Sequence, residues 1–177
     1  MSIKVLIHVL ISLAGIFSGF IVLGGLLTAR PLERWTGIFL ATTVATSLTG
    51  FVLPADRLLP SHIVGIISMV VLAVAIYARY SARLAGGWRK TYVITATMAL
   101  YLNVFVLVVQ GFLKVPALKA LAPTQSEPPF AITQGVVLLG FIVLTILATI
   151  RFRVQPAWAA PAQRVRPGLT STQDVMR

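Results

Sequence analysis

The chain contains no cysteine. That excludes structural disulfides, thiolate metal sites, iron–sulfur clusters and cysteine nucleophiles. Acidic residues number only 4, and charged residues of both signs make up 11%, against about 25% in ordinary soluble domains. None of the acids falls within an apolar run: Glu33, Asp56, Glu127 and Asp174 all belong to connecting or terminal segments. Proton- or sodium-coupled carriers use an intramembrane carboxylate, and intramembrane aspartyl proteases cut with one, so both classes lack their central part. His8 and Ser12 stand one helical turn apart but no acid orients them, which leaves a serine hydrolase without a triad.

What the chain has in abundance is apolar side chain. Hydrophobic residues reach 58% and mean hydropathy is +0.93. So little polar surface cannot cover so much apolar surface in water, and this is an integral membrane protein. A span needs about 17–25 mostly apolar residues. Five segments qualify: Val5–Leu27, Gly37–Leu53, His62–Ala78, Thr91–Leu113 and Ala131–Ile150. The first is too long for the apolar core of a signal peptide and is expected to stay in place. The second and third are short, and Pro54 and Pro60 bracket an Asp56-Arg57 pair between them, marking a tight turn. Neither carries the strongly charged face of a helix lying in the interface, so both are read as spans.

The basic residues are unevenly placed. Arg30, Arg34, Arg79, Arg83, Arg89, Lys90, Arg151 and Arg153 fall on one side of such a topology, with Lys4, Arg57, Lys114 and Lys119 on the other. The excess of Lys and Arg marks the cytoplasmic side, which puts the N-terminus outside and the C-terminus inside. Trp35 and Trp88 sit at the same border, as interfacial aromatics do. The net charge of +11 is thereby accounted for by topology and anionic headgroups, and no nucleic-acid motif is present. The expected architecture is all-α: a five-span bundle over residues 1–153, then a flexible basic cytoplasmic tail, 154–177, broken by Pro156, Pro161 and Pro167. No internal repeat points to an inverted-repeat transporter.

Polar and small residues inside the spans carry whatever specificity exists. Gly15 and Gly19 form a GxxxG on the first span, which fits packing within the chain and, as the alternative, a homo-oligomer contact. The second span is rich in hydroxyls, with Thr42, Thr46 and Thr49 on one face, and is expected to face other helices. On the fourth, Tyr92, Ala96, Ala99, Asn103, Val106, Gln110 and Lys114 make one stripe. A mid-span amide is costly unless it is bonded, so Asn103 must meet a partner helix or water. Gln134 lies at a depth comparable with Gln110. These residues either bond helix to helix or line a ligand site with Asn103, Gln110, Lys114 and Gln134. His8 and His62, the only histidines, fall at similar depth near the outer side. Facing imidazoles at matched depth are what b-type haem requires, with Lys4 and Arg57 as cations for its propionates. Two histidines without a third ligand make a poor zinc site. Val115–Phe130, with four prolines, is a long outer connection able to cover a site between the fourth and fifth spans.

The runs Leu58–Ile66 and Lys114–Gln125 resemble segments of small multi-pass inner-membrane proteins of Gram-negative bacteria. The resemblance implies an inner-membrane location and five spans, and carries no activity. The leading expectation is a non-enzymatic inner-membrane protein, structural or accessory, embedded in the lipid bilayer, with a second copy or another membrane protein as partner and no cofactor. Beside it stand a b-haem redox protein using His8 and His62, and a passive pore or transporter for a small solute.

Overall fold

In the computed structural model, residues 3–52 and 60–153 are described; the side chains of 52 and 60–62 are not among those described. The helices are α1 (Ile3–Leu27), α2 (Glu33–Val52), α3 (Pro60–Ile76), α4 (Trp88–Lys114), α5 (Pro116–Leu121) and α6 (Pro128–Arg151), and no strand occurs among the described residues. The tail and the 53–59 turn, including Asp56 and Arg57, lie outside the described residues.

Each of the five apolar runs falls in a helix, with ends shifted by a few residues, though not all five qualify as spans. Prolines start three of them: Pro60, Pro116 and Pro128 sit where the helix has no amide hydrogen to lose. The end of α1 is a Schellman turn, with the Arg30 amide on the Gly25 carbonyl at 2.8 Å and the Ala29 amide on that of Leu26. Ala29 takes the left-handed position, φ 55°, where glycine is usual. Four helical segments are long and apolar enough to cross a membrane: Ile3–Leu27, Ile63–Ser81, Trp88–Lys114 and Pro128–Arg151. The protein is therefore an all-helical membrane protein. Its second helix is as long as a span but carries six hydroxyl side chains, which dilutes its apolar character.

Helices α1 to α4 form a four-sided arrangement in which α1 and α3 each touch both α2 and α4; α6 lies outside, against α4 and α1. Successive helices of the four-sided arrangement run antiparallel, as do α4 and α6, so one end of the bundle gathers the Arg30, Arg34, Arg83, Arg89 and Arg151 positions. The core sits in that half. Val22, Leu23 and Leu26 of α1 meet Phe39 and Leu40 of α2, Leu72 and Ala75 of α3, Val93, Ala96 and Leu100 of α4, and Ala148 of α6. Lipid is as apolar as these side chains, so what holds the helices is close packing and not exclusion of water. Gly19 shows how close: a Cβ built there would lie 2.6 Å from Leu100 Cδ1 and 2.9 Å from the Phe39 ring. The GxxxG of α1 thus packs within the chain, with Gly15 against Thr42 and Thr43.

At the end of α3 the helix loosens into one π-helical turn, Tyr77–Ser81. The extra residue turns Arg79 inward. Arg79 is not a solvated loop cation as its charge implies from sequence: it is 7% exposed, pairs with Glu33 at the start of α2, and lies 5.3 Å over the Tyr92 ring. A guanidinium enclosed this way is held by both an ion pair and an aromatic face. Arg89 fixes the last turn of α6, donating to the carbonyls of Thr149 and Phe152.

Candidate functional site

Away from the cationic end the four-sided arrangement is hollow. A cavity of about 400 Å³ lies between α1, α2, α3 and α4, within the size range of small-ligand pockets. Val5, Val9, Leu13, Ile16, Val106 and Leu107 give it apolar walls; His8, Ser12, Thr46, Asn103, Gln110 and Lys114 give it a polar minority. Leu13, Phe51, Leu107 and Lys114 line it and are also exposed, so it opens to the surroundings. Toward the cationic end it stops at Ile16, Ser47, Ser68 and Asn103, and below that level Phe39, Leu72, Ala99 and Leu100 are fully buried.

The stripe on α4 explains this division. Tyr92, Ala96 and Ala99 are buried in the packed half. Asn103, Val106, Gln110 and Lys114 continue the same face into the cavity. Asn103 is tied by its amide nitrogen to the Thr43 hydroxyl at 3.3 Å, which meets the cost of an amide in mid-span. Gln110 and Lys114, one turn apart, have no hydrogen-bond or ion-pair partner shown among the described residues.

On the facing helix, His8 Nδ1 lies 2.8 Å from the Thr49 hydroxyl. That hydroxyl has one proton, and it points to the Ala45 carbonyl at 2.7 Å. Thr49 therefore accepts and His8 donates from Nδ1; in the neutral form of the imidazole Nε2 is then a bare acceptor. Most hydroxyls of the spans behave like Thr49 and bond back to the turn before. Thr42 donates to the Ile38 carbonyl at 2.7 Å and does not reach the cavity. Ser12 donates to the carbonyl of His8, and Ser47 to that of Thr43 with the Ser68 hydroxyl 3.4 Å away. Thr46 differs: it lines the cavity, and its buried hydroxyl oxygen has no partner among the described residues.

Of the residues singled out from sequence, the cavity brings together His8, Thr46, Asn103, Gln110 and Lys114. It does not bring in Gln134 or Thr42. Gln134 is bound to the opposite side of α4, donating to the Phe105 carbonyl at 3.2 Å. His62 is the third residue of α3, but its side chain lies outside those described, so the paired-imidazole arrangement for haem is not placed. Among the described residues no three His, Asp or Glu side chains gather to hold a metal. Ser12, Ser47, Ser68 and Gly111 also line the site without having been picked out as a group. Part of the signal is in the sequence: His8, Ser12 and Ile16 repeat at helical spacing on α1.

The outer connection is folded, not loose. Pro116 starts α5, whose Leu118 leans on Gly111 of α4. Ala122 is fully buried, and the Gln125 side chain donates to the Val109 carbonyl at 2.9 Å. Glu127 closes the following turn, accepting from the Thr124 amide at 3.1 Å, the Thr124 hydroxyl at 2.9 Å and the Ser126 amide at 3.1 Å. Desolvation pushes this carboxyl up, but the hydrogen bonds from Thr124 and Ser126 together outweigh it and hold its pKa below the usual value.

The chain matches no protein family model, and no curated protein and no solved structure is similar to it.

Proposed function

We propose that this is a non-enzymatic accessory protein of a bacterial inner membrane that binds a small, largely apolar molecule in the cavity between α1 and α4. The observation that carries this is the hollow itself. In a bundle packed tightly enough to need glycine at position 19, a space of about 400 Å³ is kept open on one side. Empty space forfeits dispersion contacts, and an occupant restores them. The apolar walls call for an apolar body; the Asn103, Gln110 and Thr46 groups offer it a small number of orienting hydrogen bonds. Filled side chains beneath the cavity favour a binding site over an open pore.

All five long helices span in this reading, with the N-terminus outside. The length of α2, about 30 Å at 1.5 Å per residue, matches the hydrocarbon core. Its contact along α1 and α3 gives its hydroxyl face protein instead of lipid. The clustering of arginines at the packed end supports that end as cytoplasmic.

The full chain in phosphatidylcholine nanodiscs, titrated with the neutral fluorophore 1-aminoanthracene, tests the binding reading. Saturable fluorescence above that of empty nanodiscs, lost when Ser12→Phe fills the cavity, is the expected result. Unsaturable uptake, equal in the variant, overturns it. Because the chain has no cysteine, single cysteines introduced for Lys119 and Arg83 report the orientation: a membrane-impermeant maleimide added outside intact cells should label the first and not the second.

A further inference from the structure

The cavity has a charge as well as a shape. Lys114 is a lining residue and an exposed one, and it has no ion-pair partner among the described residues. Among the described residues no acidic side chain lines the cavity. The one described acid at this end, Glu127, is turned into its own loop and held by three donors from Thr124 and Ser126. Among the described residues, the ammonium at the mouth of this apolar hollow therefore has no counter-charge. Such a site repels cations and favours an anion, the more so because the walls lower the local dielectric.

From this, and resting on the binding reading above, we infer that the cavity takes a small monocarboxylate with an apolar body. The donors for the carboxylate are on α4. Gln110 and Lys114 lie at i and i+4, so one oxygen can meet the amide nitrogen and the other the ammonium. His8 supplies none, because its Nδ1 proton is held by Thr49 and its Nε2 is an acceptor. The head group accordingly sits at the Lys114 end, and the alkyl or aryl body lies between Val9 and Ile16 on one side and Val106 on the other.

Three probes with one tail and different heads test this: octanoate, 1-octanol and octylammonium, each displacing 1-aminoanthracene from the full chain in phosphatidylcholine nanodiscs at neutral pH. Octanoate is expected to displace at a concentration about tenfold below that of octanol, with octylammonium the weakest. Lys114→Gln should bring octanoate to the level of octanol. Lys114→Arg should keep most of the preference, and Lys119→Gln, a cation outside the lining, should leave it unchanged. Equal displacement by octanoate and octanol, or a preference that survives Lys114→Gln, overturns the carboxylate inference while the binding reading stands. Failure of 1-aminoanthracene itself to bind saturably overturns both.

Discussion

The two halves of this bundle are made from the same helices and differ in how they are filled. At the cationic end, Tyr92, Phe39, Leu72, Leu100 and Phe152 are each 1% exposed and α1 approaches α4 through a glycine. At the other end the same helices stand around a hollow, and their inward residues are only half-buried. The switch falls within one stripe of α4, between Ala99 and Asn103. Small side chains with no polar atom let the helices close; amides and an ammonium with unmet hydrogen-bonding capacity hold them apart or await something to bond. The packed half supplies the rigidity on which an open half can be kept open.

The largest expected effect is at Gly19. Gly19→Leu forces α1 away from Leu100 and Phe39 and should lower stability by about 3 kcal/mol or more, read from denaturant unfolding in micelles. Gly140→Leu, where an added Cβ meets nothing, should change it by less than about 0.5 kcal/mol. Next comes the contrast between the halves. Leu100→Ala should cost about 2–5 kcal/mol by opening a void, and Val106→Ala, at an already hollow place, below about 1 kcal/mol. Equal costs would erase the distinction. A double-mutant cycle between Asn103→Leu and Thr43→Val should give a coupling near 0.6 kcal/mol, the ordinary worth of a hydrogen bond between membrane helices.

The smallest effect is at the outer turn. Glu127 has its folded pKa held below the usual carboxylate value, so its contribution is fully present above that usual value and is lost as pH falls through the lower folded value. The protection of the Thr124 and Ser126 amides, measured as exchange relative to the intrinsic rate at each pH, should therefore fall on acidification below that point, and Glu127→Gln should remove this change in protection.

Much of the fold was legible because long apolar runs leave a membrane chain few options. Val5–Leu27 and Thr91–Leu113 lie within the observed α1 and α4, and the α4 stripe runs from the packed core into the cavity lining. Three things were not legible. A six-residue helix hid in a proline-rich connection, although Pro116 is a usual first residue of a helix. The π turn that buries Arg79 depends on Glu33 and Tyr92, which are remote in sequence. Gln134 and Gln110 agree in depth but not in direction. Depth follows from counting residues, but direction around the bundle depends on which helices are neighbours, and α6 lies on the far side of α4.

The hydroxyls of α2 bear on how the chain enters a bilayer during synthesis. Thr42, Ser47 and Thr49 all return their protons to carbonyls of their own helix. Their oxygens remain polar, and the helix they belong to gains little from lipid by itself. Beside α1, that same face meets Gly15 and His8 instead of acyl chains. In the five-span reading proposed above, helices α1 and α2 make sense as a hairpin delivered together, the first strongly apolar helix acting as escort for the second.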